Sequence, residues 1–186
     1  VAARAAVGLG RPALVGHSMG GWLAQKLLEA ADLPALLLCP LPGGGLPLAS
    51  SLRLALLDPA GMAGALAGRS LWVRDARLLH RICFRRRPLA EAEEMLARMG
   101  PEPAWATLAM GLGLARARPA PGRSLRIVAA AEHDFFVPPT RLMRLAQSLG
   151  ARFIALPGLP HNCWQEDSQG TVVRLVLDFL AESFTA

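Results

Sequence analysis

The feature that most constrains this chain is the run Gly16-His17-Ser18-Met19-Gly20-Gly21, placed where an apolar stretch gives way to a helical pattern. Pro12-Ala13-Leu14-Val15 leads into it, and from Met19 to about Ala31 the leucines 23, 27 and 28 share one face. A serine on a very tight strand-to-helix turn projects its oxygen outward, and its neighbours must be small because the two backbones crowd together. The N–H groups that open the helix then face any oxyanion formed beside the serine. A second apolar run, Leu33 to Cys39, is stopped by Pro40 and Pro42. Strand, helix and strand at this spacing predict a βαβ unit whose two parallel strands are buried on both faces.

Residues 41–122 lose all strand-like alternation. Breakers at Pro42-Gly-Gly-Gly45, Asp58-Pro59, Pro88 and Gly100-Pro101 separate helical patterns at about 52–57, 70–84, 89–99 and 103–115. The α/β pattern then returns. Leu125 to Ala131 reads as a strand, Pro138 to Leu149 as a helix stopped by Gly150, and Arg152 to Leu156 as another strand. An amphipathic helix from Ser168, its expected N-cap, to Phe184 closes the chain. The expectation is an α/β fold with a parallel sheet, divided into residues 1–40, a helical insertion at 41–122, and residues 123–186.

Two loops carry further chemistry. Glu132-His133-Asp134 lies just past the carboxyl end of the third strand, where parallel sheets gather their ligands. Leu156-Pro-Gly-Leu-Pro-His161 lies past the fourth. Ser18, Asp134 and His161 thus form a nucleophile, acid and base set, with His161 taking the serine proton and Asp134 holding the imidazole tautomer. Glu132 comes two positions early for the acid, and His133 is the rival base off the final loop. His80 falls in an arginine-rich helical pattern and is expected at the surface. His17, Trp22, Phe135 and Trp164 flank the motifs as candidates for the substrate pocket, with core packing as their alternative fate. Cys163 beside His161 has no second spaced pair of ligands, so neither a metal nor a cofactor is expected.

These motifs together resemble the α/β-hydrolase superfamily. Ala6-Val7-Gly8-Leu9 through Gly16-His-Ser-Met-Gly-Gly21 resembles its nucleophile region, and Ala130-Ala-Glu-His-Asp134 with Val137-Pro138 resembles its acid loop. Pro157-Gly-Leu-Pro-His161 and the helix ending Asp178-Phe179-Leu180 resemble its histidine loop and last helix. The resemblance implies a serine hydrolase acting on a small-molecule ester or related acyl bond through an acyl-Ser18 intermediate, with the Met19 N–H as an oxyanion donor and residues 41–122 as the lid. It also implies strands ahead of the nucleophile, for which the first ten residues, read as the end of a helix, leave no room. Without them the second oxyanion donor is missing, a loss of about 10²–10³ in rate. The strand at 12–15 becomes an open apolar edge. The chain alone is therefore expected to be a weak catalyst, self-associated along that edge or poorly soluble; the rival reading is a silent hydrolase-like fragment that binds a partner.

Composition narrows the alternatives. Of 186 residues, 53% are hydrophobic, which is ample for one core and excludes a disordered chain. The net charge of +6 sits entirely in residues 41–124, with twelve arginines against six acids. Its one tight cluster, Arg85-Arg86-Arg87, lacks the interleaved aromatics of a single-strand binder, so no nucleic acid is expected. Uncharged stretches are too short or too broken for a membrane span. Three scattered cysteines predict free thiols in a reducing, cytoplasmic setting.

Overall fold

The apolar runs become four parallel strands in the order β1-β2-β3-β4. The computed structural model describes residues 12–69, 75–100 and 103–185. β1 spans Leu14–His17, β2 Ala35–Leu38, β3 Arg126–His133 and β4 Arg152–Pro160. Leu14 lies opposite Ala35, and Ala35 opposite Arg126, so the strand ends stay aligned across the sheet. The expected helix end before residue 11 and the start of the pattern at 70–74 lie outside the described residues.

Alternation along the strands sends side chains to two separate cores. Leu37, Val128 and Ala130 pack with Ala24 and Leu28 of α1 (Met19–Leu28) and with Leu142, Ala146 and Leu149 of α7 (Pro139–Leu149). Leu36, Leu38, Ile127 and Ala129 pack with Val172 and Phe179 of α9 (Thr171–Thr185). The central strands β2 and β3 are buried on both faces, as the unbroken apolar runs require. Among the described residues β1 pairs with β2 alone, and Val15 is 47% exposed there.

Between β2 and β3 the described residues form helices only: α2 (Leu48–Leu57), α3 (Pro59–Leu66), α4 (Ala76–Cys83), α5 (Leu89–Arg98) and α6 (Ala104–Gly111). α4 and α5 share a core built on Leu79, Ile82, Phe84 and Ala92. α3 and α6 share another, built on Ala65, Ala104 and Leu108.

Several boundaries differ from the sequence expectation. β1 starts at Leu14 and runs on to His17, because pairing with β2 continues up to the serine turn. α3 was not expected, since Pro-Ala-Gly-Met-Ala-Gly-Ala-Leu has no apolar period; Asp58 caps it by accepting from the Gly61 N–H at 2.8 Å. β4 continues through Pro157 and Gly158 to Pro160, where a turn was expected. The last helix begins at Thr171, and Asp167 rather than Ser168 takes its first-turn amide, from Val172 at 2.6 Å.

Candidate active site

Ser18 is the single residue between β1 and α1, with φ 53° and ψ −119°. A positive φ is strained for a side-chain-bearing residue, at a cost of about 1–3 kcal/mol that surrounding structure must offset. Here the backbone is tied on three sides. The Ser18 N–H donates to the Leu38 oxygen (3.2 Å), and the Ser18 oxygen accepts from the N–H groups of Trp22 (3.2 Å) and Leu41 (2.9 Å). A Cβ on Gly16 would stand 2.5 Å from the Gly20 oxygen, and one on Gly21 would stand 2.5 Å from Pro40 Cβ. The glycines at these two positions are therefore a steric requirement of the turn.

The parallel sheet brings the other two groups to the same edge. Asp134 follows β3 directly and His161 follows β4 directly. His161 Nε2 lies 3.0 Å from Ser18 Oγ, and His161 Nδ1 lies 3.0 Å from Asp134 Oδ2. The Asp134 side chain is fully covered and that of His161 is 5% exposed. Oδ1 of Asp134 accepts from the N–H groups of Phe136 (2.8 Å) and Val137 (3.2 Å), so the carboxylate is aimed by its own loop. Serine, imidazole and carboxylate form one hydrogen-bonded line.

Above this line opens a cavity of about 340 Å³. Its walls come from the sheet edge (Met19, Cys39, Phe136) and from the inner faces of the helices between β2 and β3 (Leu54, Met62, Leu79, Met95). Among the described residues Asp58 is the one carboxylate in the lining, and no described lysine or arginine lines it.

Residues 1–175 match the family model described as Alpha/beta hydrolase family. The chain belongs to the alpha/beta hydrolase family. Its fold is similar to that of Rv0554 from Mycobacterium tuberculosis, with 22% identity and a TM-score of 0.64 over 91% of this chain and 65% of that one. It is similar to a thermophilic esterase from Thermogutta terrifontis, at 20% identity and a TM-score of 0.62 over 94% and 66%. The 2-hydroxy-6-oxo-6-phenylhexa-2,4-dienoate hydrolase of Rhodococcus sp. strain RHA1 gives 17% identity and a TM-score of 0.65 over 94% and 65%. This alpha/beta hydrolase chain thus spans about two thirds of the length of the solved structures it matches. No curated protein sequence matches it.

Within this family member the pocket candidates divide. His17 and Trp164 line the cavity. Trp22 does not: it is 7% exposed and packs with Leu41 and Ala117, a cluster that Met19 also touches. Phe135 is likewise outside the lining, beneath the Arg53 guanidinium at 4.6 Å, and its neighbour Phe136 takes the cavity position, 4.6 Å from the His161 ring. Glu132 points away from the serine and accepts from the Gly158 N–H at 2.7 Å, while His133 pairs loosely with Glu132 at 3.9 Å. Among the described residues no helix is long and apolar enough to cross a membrane.

Burial shapes the remaining titratable groups. Burial first, and the neighbouring His161 second, push the His17 imidazole down to about 3. The three cysteines are free and buried. Burial, with Asp134 nearby, pushes the Cys83 thiol up to about 12, and a hydrogen bond with Cys163 together with burial raises Cys39. Neutral thiols of this kind are poor nucleophiles.

Sequence reasoning missed Gln25. It is fully buried; its Nε2 donates to the oxygens of Gly21 (3.0 Å) and Leu41 (2.9 Å), and its Oε1 accepts from the Gly43 N–H (3.0 Å). The expected apolar face ran through Leu23 and Leu27, which are exposed, whereas the buried face is that of Gly21, Trp22, Ala24, Gln25 and Leu28, and the partners of Gln25 come from a loop 16–18 residues away.

Proposed function

We propose that this chain carries the active centre of a serine hydrolase for neutral, apolar acyl esters. The observation that carries the proposal is the line Ser18 Oγ to His161 Nε2 to Asp134 Oδ2, with both gaps at 3.0 Å. In this reading His161 removes the Ser18 proton as Oγ attacks the ester carbonyl, and Asp134 stabilises the imidazolium. The tetrahedral oxyanion is held by backbone N–H groups at the start of α1, that of Met19 first. Collapse expels the alcohol with the proton from His161. Water then repeats the sequence on acyl-Ser18 and frees the acid. The helices over residues 41–122 serve as the lid that encloses the acyl chain.

The lining favours an ester over other substrates of related folds. A dienoate such as that named for the Rhodococcus hydrolase carries a carboxylate, and a buried carboxylate needs a cationic or hydrogen-bonding partner. The described lining offers Asp58 and no cation, which repels an anion. The volume suits a medium-length acyl chain, at the small end of ligand cavities (about 300–1,000 Å³). The test is hydrolysis of p-nitrophenyl esters of increasing chain length by wild type and Ser18→Ala. The proposal expects preference for medium chains and loss of activity on the order of 10³-fold or more in the variant. Equal rates in the two proteins would refute it.

A further inference from the structure

Five residues past His161, in the short helix α8 (Cys163–Glu166), lies an acidic side chain to which the triad gives no role. Glu166 is 8% exposed, and its Oε1 receives three consecutive backbone amides from the turn that follows α4: Arg85, Arg86 (2.8 Å) and Arg87 (3.3 Å). Successive amides converging on one anion form a concave nest. The basic cluster singled out in the sequence is thus held on Glu166 by its main chain, and of its guanidinium groups that of Arg87 adds a contact to the same segment. The other oxygen, Oε2, is buried with no hydrogen-bond partner among the described residues.

The contacts around Glu166 run between the same two segments. The Arg87 Nε donates to the Gln165 oxygen at 2.7 Å. The Asn162 N–H donates to the Cys83 oxygen at 3.1 Å, and its Nδ2 donates to Met95 Sδ at 3.4 Å. Leu79, Ile82, Cys83 and Met95, which this junction holds, all line the cavity. On the other side the junction begins at Asn162, next to the base.

We propose that Glu166 is a positioning residue: its buried carboxylate latches the 85–87 turn of the lid onto the segment that carries His161, and thereby sets the wall against which the acyl chain packs. Oε1 holds the latch closed. Oε2 opposes it, because a buried carboxylate oxygen without a donor loses its hydration for nothing in return. Opening the turn returns water to both oxygens, so the two effects leave the wall closed but able to lift for substrate. The consequence for acyl-chain choice rests on the ester-hydrolase reading; the latch itself does not.

The full chain is compared with Glu166→Ala and Glu166→Asp, which keeps the charge but is one methylene too short to reach the nest. Amide hydrogen exchange is read over residues 85–87, and kcat and KM are read with p-nitrophenyl acetate and octanoate. The wild-type amides are expected to be protected, with exchange about ten-fold faster in both variants. KM for octanoate is expected to rise by about five-fold while kcat/KM for acetate stays within about two-fold. Unchanged exchange in a folded variant, or equal losses on both esters, overturns the proposal. If Glu166→Ala fails to fold by circular dichroism, Glu166→Asp alone decides between these results. A chain that cleaves neither ester refutes the hydrolase reading, and the exchange data still decide the latch.

Discussion

His17, the residue before the candidate nucleophile, donates from Nε2 to the main-chain oxygen of His161 at 3.1 Å. A carbonyl only accepts, so Nε2 carries the proton; burial, which lowers the His17 pKa to about 3, keeps the ring neutral. The His17 ring also sits 4.7 Å from the His161 ring and edge-on to Trp164 at 4.2 Å. The serine turn and the histidine loop are therefore braced against each other through a residue that the serine motif leaves unspecified.

The burial of His17 at this junction makes stability depend on pH. Folding lowers the His17 pKa from its ordinary 6.5 to about 3, so between these values the unfolded chain binds a proton that the folded chain does not. Stability from this source is complete above pH 6.5 and is lost as pH falls, by up to about 1.4 kcal/mol per unit. His17→Gln keeps an N–H donor and cannot titrate. Urea unfolding from pH 7 to pH 4 should therefore show a shallower decline in His17→Gln than in wild type. Parallel declines would contradict the buried, neutral assignment.

Glycine is required in the serine turn at specific places, not throughout. Gly16→Ala and Gly21→Ala each meet main-chain or proline atoms under 3.0 Å away, and should destabilise by about 1–3 kcal/mol. Gly20, inside α1, has nothing within 4 Å of a built Cβ, so Gly20→Ala should be neutral or stabilising by up to about 1 kcal/mol. Thermal unfolding of the three variants checks the ranking; Gly20→Ala as the most damaging would reverse it.

Gln25 stitches α1 to the chain leaving β2. Gln25→Leu preserves bulk but leaves the Leu41 oxygen and the Gly43 N–H without their side-chain partner, at about 1–3 kcal/mol for each group stranded. Tm should fall by about 5–10 °C. An unchanged Tm would mean that the loop finds other partners.

The sheet and the three candidate catalytic residues were legible because their signals are local. Strand runs are four to nine residues long, and the Ser18, Asp134 and His161 loops each follow one directly. What was lost depended on orientation or on distant partners. Phe135 and Phe136 are equivalent as sequence, and the turn in which the Phe136 and Val137 N–H groups donate to the Asp134 carboxylate decides which ring meets the cavity. α3 is held by an Asp58 cap and by contact with α6, neither of which leaves a hydrophobic period. The Glu166 nest joins positions about eighty residues apart, and no spacing rule reaches that far.

The central claim is that Ser18 is an activated nucleophile. A fluorophosphonate probe, which reacts with serines of this kind, followed by peptide mapping of the labelled chain, tests it most directly. The geometry predicts a single adduct on Ser18, absent from Ser18→Ala and strongly slowed in His161→Ala. A folded chain that takes no label, or label that persists in Ser18→Ala, would contradict it.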